Sequence, residues 1–575
     1  MGIKSDVAQP PLPTPELEMR RHQVFPLLSE TDMRHVARLA TERRYRAGET
    51  VFQAGLPTEG IMFVVEGGIS VHRHNGFNSC ARIATLRPGQ FTGEVGQLSD
   101  RPSLSNGIAA GEVTVLLLSA ELLRALVIAH ADLGERIIRA LILRSVALLQ
   151  QNSGGPVIIG PPGHGRVHTL QSFLSANAHP YTVLDPKTDT RAAEMLALHQ
   201  PSAEELPLVI CPGIGIRKNP TVVELGRCIG MLRALDEEKI WDVIIVGAGP
   251  AGLATAVYAA SEGLSVLALE TRAFGGQAGA SARIENYLGF PTGISGGALT
   301  GRAYVQAEKF GVEIAIPAPA GRLITTTSPL QVEMCGSLTR LKARAVVLSC
   351  GARYRRPSLA NLKQFEGRGV YYWASPIKAQ LCRDAEVVLV GGGNSAGQAA
   401  VFLAGHAAKV HMLIRKGSLV STMSSYLIER IQASANIELH THTEIVALEG
   451  DEEGLQEVRV RNSRSEEEAC YPIRRVFLFI GADPNTGWLD GSGVGVDKHG
   501  FIRTGIDVST MQCAAGYAQG CQPHDLPDHS ALQTTVRGVF AIGDVRAGST
   551  KRVAAAVGEG AAVVAEIHQF LAKHP

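Results

Sequence analysis

WDVIIVGAGPAGLATAVYAASEGLSVLALE, residues 241–270, is the stretch on which the reading of this 575-residue chain turns. It opens as an apolar strand, turns through Gly247, Gly249 and Gly252 in G-x-G-x-x-G spacing, runs on as a helix and ends a second apolar strand at Glu270. The three glycines meet different demands. One makes the tight turn, one lets a pyrophosphate approach the backbone, and one lets helix pack on strand. The helix N-terminus then offers unpaired N–H groups to the phosphates. Glu270 stands 23 residues beyond Gly247 (270 − 247), where it can accept hydrogen bonds from a ribose diol. A glycine turn alone says little. Strand, helix and terminal acid in register point to a bound dinucleotide.

The pattern recurs at EVVLVGGGNSAGQAAVFLAGHAAKVHMLIRK, residues 386–416, with Gly391, Gly393 and Ala396 between strand and helix. This copy ends in Arg415 and Lys416 instead of an acid. Two cations suit the 2′-phosphate of NADP, whereas an acid suits the free ribose of NAD; a solvated basic turn is the alternative. GVFAIGDV (538–545) and KRVAAAVGEG (551–560) follow, the latter opening a terminal helix. The expected fold is therefore multidomain α/β. Two Rossmann-like three-layer dinucleotide-binding domains, the second inserted in the first, are preceded by a β-barrel and a smaller α/β domain.

Residues 240 to 573 resemble the two-dinucleotide flavoprotein reductases, and thioredoxin reductases in particular. The resemblance rests on GGQA (275–278), IENYLGFP (284–291) and GRGVYYWAS (367–375) leading into GGGNSA, and on the inserted domain order. It implies an FAD-binding domain at 240–358 and 478–575 and an NAD(P)-binding domain at 359–477. FAD contacts would fall on Gly247, Gly249, Gly252, Glu270, Gly276, Gln277, Asn286, Gly543, Asp544, Arg552 and Val553. Nicotinamide contacts would fall on Gly391, Gly393, Asn394, Ser395, Arg415 and Lys416. FAD and NADPH are the implied cofactors, and a homodimer the implied assembly. The chain departs from the family at two places. Val420 stands where a further arginine is usual, and WASP (373–376) replaces the CxxC redox pair. Cys382 lies too far along to substitute, so electrons would leave to a redox partner protein: a small carrier such as ferredoxin or flavodoxin, or a cysteine pair on another protein.

Upstream of these domains and after a tail (1–24), short glycine-punctuated strands at 50–52, 61–65, 69–74 and 81–86 precede a long helical pattern from Ser119. With GETVFQAG (48–55) and FTGEVGQL (91–98), residues 25–150 resemble cyclic nucleotide-binding domains. Gly93 and Glu94 are kept, but Ser103 stands where that family places its phosphate-binding arginine, with Arg101 as a shifted alternative. Cyclic nucleotides are therefore expected to bind weakly or not at all, and the domain's ligand is left unnamed. After the linker QNSGGP (151–156), the β-α-β-α-β-α order of 156–236 resembles a thioredoxin fold. Its redox motif is replaced by PPGHG (161–165), and Pro207 falls at the family's cis-proline position.

Composition narrows the classes further. A formal net charge of +1 with 19% charged residues gives no reason to expect a nucleic-acid or membrane partner. No targeting segment or bilayer-length apolar run is visible, so a cytoplasmic chain is expected. The nine cysteines contain no CxxC; neither a disulfide framework nor a metal site is expected, and most should be small buried hydrophobes. Cys513 and Cys521 are the closest pair, either a substitute redox couple or part of a surface insertion. An NADPH-dependent flavoprotein reductase is the first reading. The second is a ligand-sensing protein that keeps the reductase module as a nucleotide-binding scaffold.

Overall fold

A computed structural model describes residues 9–74, 81–152, 154–374, 376–451, 454–505, 507–508 and 530–574. The chain divides into two units, one of Met1–Ala248, Ala256–Phe274 and Ala303–Val346, the other of Gly249–Thr255, Gly275–Arg302 and Val347–Pro575.

In the first unit, the N-terminal barrel is made of two antiparallel sheets. One orders Thr41–Tyr45, Val113–Leu118 and Ile61–Glu66; the other orders Thr50–Phe52, Ser105–Ala109, Ile69–Arg73 and Arg82–Leu86. Phe63 and Phe91 meet at 5.4 Å ring separation, both fully buried. The helical pattern after Ser119 is two helices, Ala120–Ala129 and Ala131–Gln150, parted at His130. Ser119 caps the first by accepting the Leu122 N–H.

A four-stranded sheet follows in the order Gly215–Lys218, Leu208–Cys211, Val157–Ile159, Thr182–Leu184, accompanied by helices Gly165–Ala176, Thr190–His199 and Val222–Cys228. The Leu206–Pro207 peptide is cis. One expectation is corrected here: Cys211 and Cys228 are not separate buried thiols but a disulfide, with Cα atoms 5.9 Å apart. The end of a strand and the end of the following helix are brought within disulfide reach, which a separation of 17 residues does not advertise.

The first unit's large sheet orders Glu313–Ala315, Val266–Leu269, Ile240–Val246, Arg340–Leu348, Leu330–Met334 and Ala320–Ile324. Ile240–Val246, Val266–Leu269 and Glu313–Ala315 pair in parallel. Continuous buried apolar runs, such as Val243–Val246 and Val266–Leu269, are what a parallel sheet covered on both faces requires.

The second unit carries a five-stranded sheet in the order Val370–Tyr371, Val476–Leu478, Glu386–Val390, Lys409–Leu413, Ile437–His440, with each neighbouring pair parallel. An antiparallel sheet of Thr443–Asp451, Gly454–Asn462 and Glu468–Tyr471 accompanies it. Val553–Lys573 forms the terminal helix. Among the described residues, no helix is long and apolar enough to cross a membrane.

Candidate functional site

In the first unit, Gly247 adopts φ +108°, a backbone open to glycine, and its N–H donates to the Leu269 carbonyl. Glu270 stands at the end of the neighbouring strand. Its Oε2 accepts the Ala248 N–H at 2.8 Å and its Oε1 accepts the Arg272 N–H at 3.0 Å. Burial pushes its carboxyl pKa up, opposed by these backbone donors.

In the second unit, a Cβ on Gly249 would meet nothing within 4 Å, and one on Gly276 would sit 3.2 Å from the Gly249 Cα. Gly252 is buried one turn on. Gly543, at φ +70°, lies where a Cβ would come within 3.0 Å of Ala251, and its N–H donates to Glu559 at 2.6 Å. Thr255 Oγ1 donates to both the Ala251 and Gly560 carbonyls, and a Cβ on Gly560 would be 2.4 Å from the Ala251 oxygen. The terminal helix, with Arg552 at its N-cap and Val553 at its start, therefore lies directly against the turn that opens at Gly249. Gly249, Gly276, Gly543 and the helix of Val553 are brought together. Asp544 follows Gly543 in the chain, with its carboxyl pKa raised by burial. Gln277 donates to the Ala352 carbonyl at 2.6 Å. Asn286 stands apart, exposed in a recess with Arg283, Thr292 and Tyr426.

The nicotinamide turn repeats the same division. Gly391 has φ +142°, and a Cβ there would strike the Phe479 carbonyl at 2.3 Å; one on Gly393 would meet nothing. Asn394 Oδ1 accepts the Ser424 N–H at 2.7 Å, tying the turn to the next helix, while Ser395 is exposed. Arg415 and Lys416 are both exposed at the end of the second strand, and so is Val420. Cys382 is fully buried, and burial pushes its thiol up to about 11. A thiol so placed is not a thiolate at neutral pH. Lys378 lies 3.5 Å over the Trp373 ring. Cys513 and Cys521 lie outside the described residues.

In the N-terminal barrel, Gly93 and Glu94 line a cavity of about 130 Å³. Glu94 is buried, accepts the Leu104 N–H at 2.9 Å, and has its pKa raised by burial. Ser103 is buried and donates to the Ser105 carbonyl. Arg101 pairs with Glu308 at 2.7 Å, so its guanidinium is already engaged within the unit. The buried cation on the cavity is one that sequence reasoning passed over. Arg144 donates to the Val24, Phe91 and Gly93 carbonyls, and has no hydrogen-bond partner for Nη2. Burial pulls its pKa down to about 9. The signal was present: Arg144 falls on the apolar stripe of Ile137, Leu141 and Leu148.

Two glycine turns, each with open space beside its middle glycine, at Gly249 and Gly393, are of the kind that binds dinucleotides. Residues 241–520 match the pyridine nucleotide-disulphide oxidoreductase family, and residues 42–130 match the cyclic nucleotide-binding domain. Over 336 residues the chain is 31% identical to a thioredoxin reductase of Mycolicibacterium smegmatis, spanning 58% of this chain and 98% of that protein. A thioredoxin reductase of Bacillus subtilis (strain 168) is 29% identical over 337 residues, spanning 59% of this chain and 96% of its own length. The crystal structure of Lactococcus lactis thioredoxin reductase (FR conformation) covers 58% of this chain and 99% of its own, with a TM-score of 0.50 at 25% identity. That of T. acidophilum thioredoxin reductase has the same coverage and TM-score at 26% identity. The chain belongs to the thioredoxin reductase family, carries an N-terminal cyclic nucleotide-binding domain, and is an FAD- and NADPH-dependent oxidoreductase.

Proposed function

We propose that this reductase takes electrons from NADPH and delivers them to an acceptor outside the chain, without a dithiol relay on its nicotinamide domain. The observation that carries this is WASP at 373–376, where a redox pair would stand, with Cys382 buried and protonated beyond it. When bound, FAD accepts the hydride and passes the electrons on; the chain binds and orients it. In this reading Gly247, Gly249, Gly252, Glu270, Gly276, Gln277, Asn286, Gly543, Asp544, Arg552 and Val553 hold FAD. Gly391, Gly393, Asn394, Ser395, Arg415 and Lys416 hold NADPH.

Residues 156–236 serve as a thioredoxin-like module without its redox motif; the strand order supports that reading. The N-terminal barrel should bind cyclic nucleotides weakly or not at all, because Ser103 lacks the charge and Arg101 is engaged with Glu308, which leaves Arg144 as the buried cation on the cavity.

The test is NADPH added anaerobically to the flavin-loaded protein. Bleaching of the oxidised-flavin absorption band is expected. A band that persists, in protein shown to bind NADPH, removes the reductase reading and favours a nucleotide-binding scaffold under a ligand-sensing domain.

A further inference from the structure

On one face of the second unit's parallel sheet, three strands place five polar side chains side by side. The register sets Glu386 beside Lys409, His411 beside Glu438, and Leu413 beside His440. With alternating side-chain direction, Glu386, Lys409, His411, Glu438 and His440 share that face. His411 is buried there, yet hydride transfer uses none of these groups.

Their geometry is specific. His411 Nε2 lies 2.7 Å from Glu386 Oε2. A protonated Nε2 donating to that carboxylate leaves Nδ1 as a lone pair, turned the other way. That Nδ1 lies 3.1 Å from His440 Nε2 and 3.8 Å from Glu438 Oε2, and His440 Nε2 lies 3.7 Å from Glu438 Oε1. One ligand atom from each of the three residues falls within 4.8 Å of the others. Tyr471 covers the cluster, its ring 4.9 Å from that of His411.

We propose that His411 Nδ1, His440 Nε2 and the Glu438 carboxylate bind a divalent transition-metal ion of the zinc class, with Glu386 orienting His411 from behind. Tetrahedral zinc with bonds of about 2.0–2.2 Å sets its ligand atoms roughly 3.3 Å apart; here the two ring nitrogens are 3.1 Å apart, Glu438 Oε2 lies 3.8 Å from His411 Nδ1 and Glu438 Oε1 lies 3.7 Å from His440 Nε2, so a small turn of the carboxylate completes the triad. A carboxylate on the far ring nitrogen is the usual companion of a metal-bound histidine, because it fixes tautomer and orientation. Exposure rises from 4% for the His411 side chain through 19% for His440 to 47% for Glu438, leaving one side open to an incoming ion and a fourth, water ligand.

In the metal-free protein the charges are balanced differently. Lys409 Nζ pairs with Glu438 Oε2 at 2.5 Å, and a His440 Nε2–H can donate to His411 Nδ1. Binding the ion requires the His440 tautomer with its proton on Nδ1, which frees the Nε2 lone pair, and it displaces the Lys409 ammonium, whose side chain is 41% exposed and able to swing outward. Lys409 is thus the competitor for the site, and its removal should tighten binding.

The experiment uses the full-length flavoprotein without an affinity tag, stripped with chelator and titrated with Co²⁺ alone, then Zn²⁺ alone. One equivalent of Co²⁺ should give the intense visible bands of a tetrahedral nitrogen–oxygen site, and Zn²⁺ should abolish them. His440→Ala and Glu438→Gln should each weaken Co²⁺ binding by at least about tenfold, with unchanged flavin content and circular dichroism, while Lys409→Ala should strengthen it. Glu438→Gln, at an exposed position, serves if His440→Ala does not fold. Absence of the bands in wild type overturns the proposal. So do bands that survive both substitutions, or a thiolate charge-transfer band, which would assign the metal to a cysteine, Cys335 and Cys470 being exposed among the described residues.

Discussion

At Gly391 a side chain would collide with a backbone carbonyl at 2.3 Å, and at Gly393, two residues on, it would meet nothing. Both glycines were legible in the sequence as one motif, but the structure separates them: the fold itself demands glycine at Gly391, whereas at Gly393 the demand is the proposed ligand's. Gly249 is of the second kind. Gly249→Val should therefore fold, with unchanged circular dichroism, and purify colourless, because the side chain takes the space of the pyrophosphate. Full flavin content in that variant would remove Gly249 from the FAD site. Arg415 and Lys416 are exposed at the strand end, and each can supply about 1–3 kcal/mol to a 2′-phosphate through charge-assisted bonds. Arg415→Ala with Lys416→Ala should erase most of the preference for NADPH over NADH in stopped-flow flavin reduction. A double variant that discriminates as wild type does would place the 2′-phosphate elsewhere. Arg144 shows what spacing hides. A motif names the residues that touch a ligand, whereas a buried arginine on an apolar helix stripe is visible only as a break in that stripe.

Among the elements, those with strong period or apolar runs were readable and those set by partners were not. The strands Ile61–Glu66 and Val266–Leu269 announce themselves through continuous apolar residues. Thr41–Tyr45 reads TERRY, almost wholly exposed, and is a strand because Val113–Leu118 pairs with it along its length. The helix Glu30–Ala37 begins with a capping box, Ser29 and Asp32 bonding reciprocally. No spacing in the chain hints that Arg136, from the helix Ala131–Gln150, closes on the same Asp32 with bonds of 2.7 and 2.9 Å. Burial alone would raise the Asp32 pKa; the Arg136 and Ser29 bonds outweigh it and hold the carboxyl at about 2, against an ordinary 3.8. A folded value below the unfolded one means stability that is present in full above about pH 4 and lost as pH falls towards 2. The Arg136 and Ser29 bonds to Asp32 together contribute on the order of 2 kcal/mol by this linkage. Asp32→Asn should lower the melting temperature at pH 7 and narrow its difference from wild type between pH 4 and 2. A melting difference that stays constant over that range would assign the effect to packing instead.

At the scale of the whole chain, what matters is where the electrons leave. A thiol relay needs a thiolate and a partner with which to complete a disulfide. WASP replaces the pair, Cys382 is buried with its thiol raised to about 11, and Cys211 and Cys228 are joined to each other, with only 2% and 5% exposure. A disulfide so enclosed offers an attacking thiolate no line of approach. Cys513 and Cys521, outside the described residues, are the remaining closely spaced pair. The expected outcome is that NADPH supports rapid reduction of ferricyanide, a one-electron acceptor that needs no thiol, while thioredoxin coupled to an aromatic disulfide is not turned over. The assay is run on wild type and on Cys513→Ser with both acceptors. Thioredoxin reduction that is robust in wild type and lost in Cys513→Ser, with ferricyanide reduction unchanged, would sink the external-carrier reading. It would make this chain a disulfide reductase whose redox pair has moved out of the nicotinamide domain.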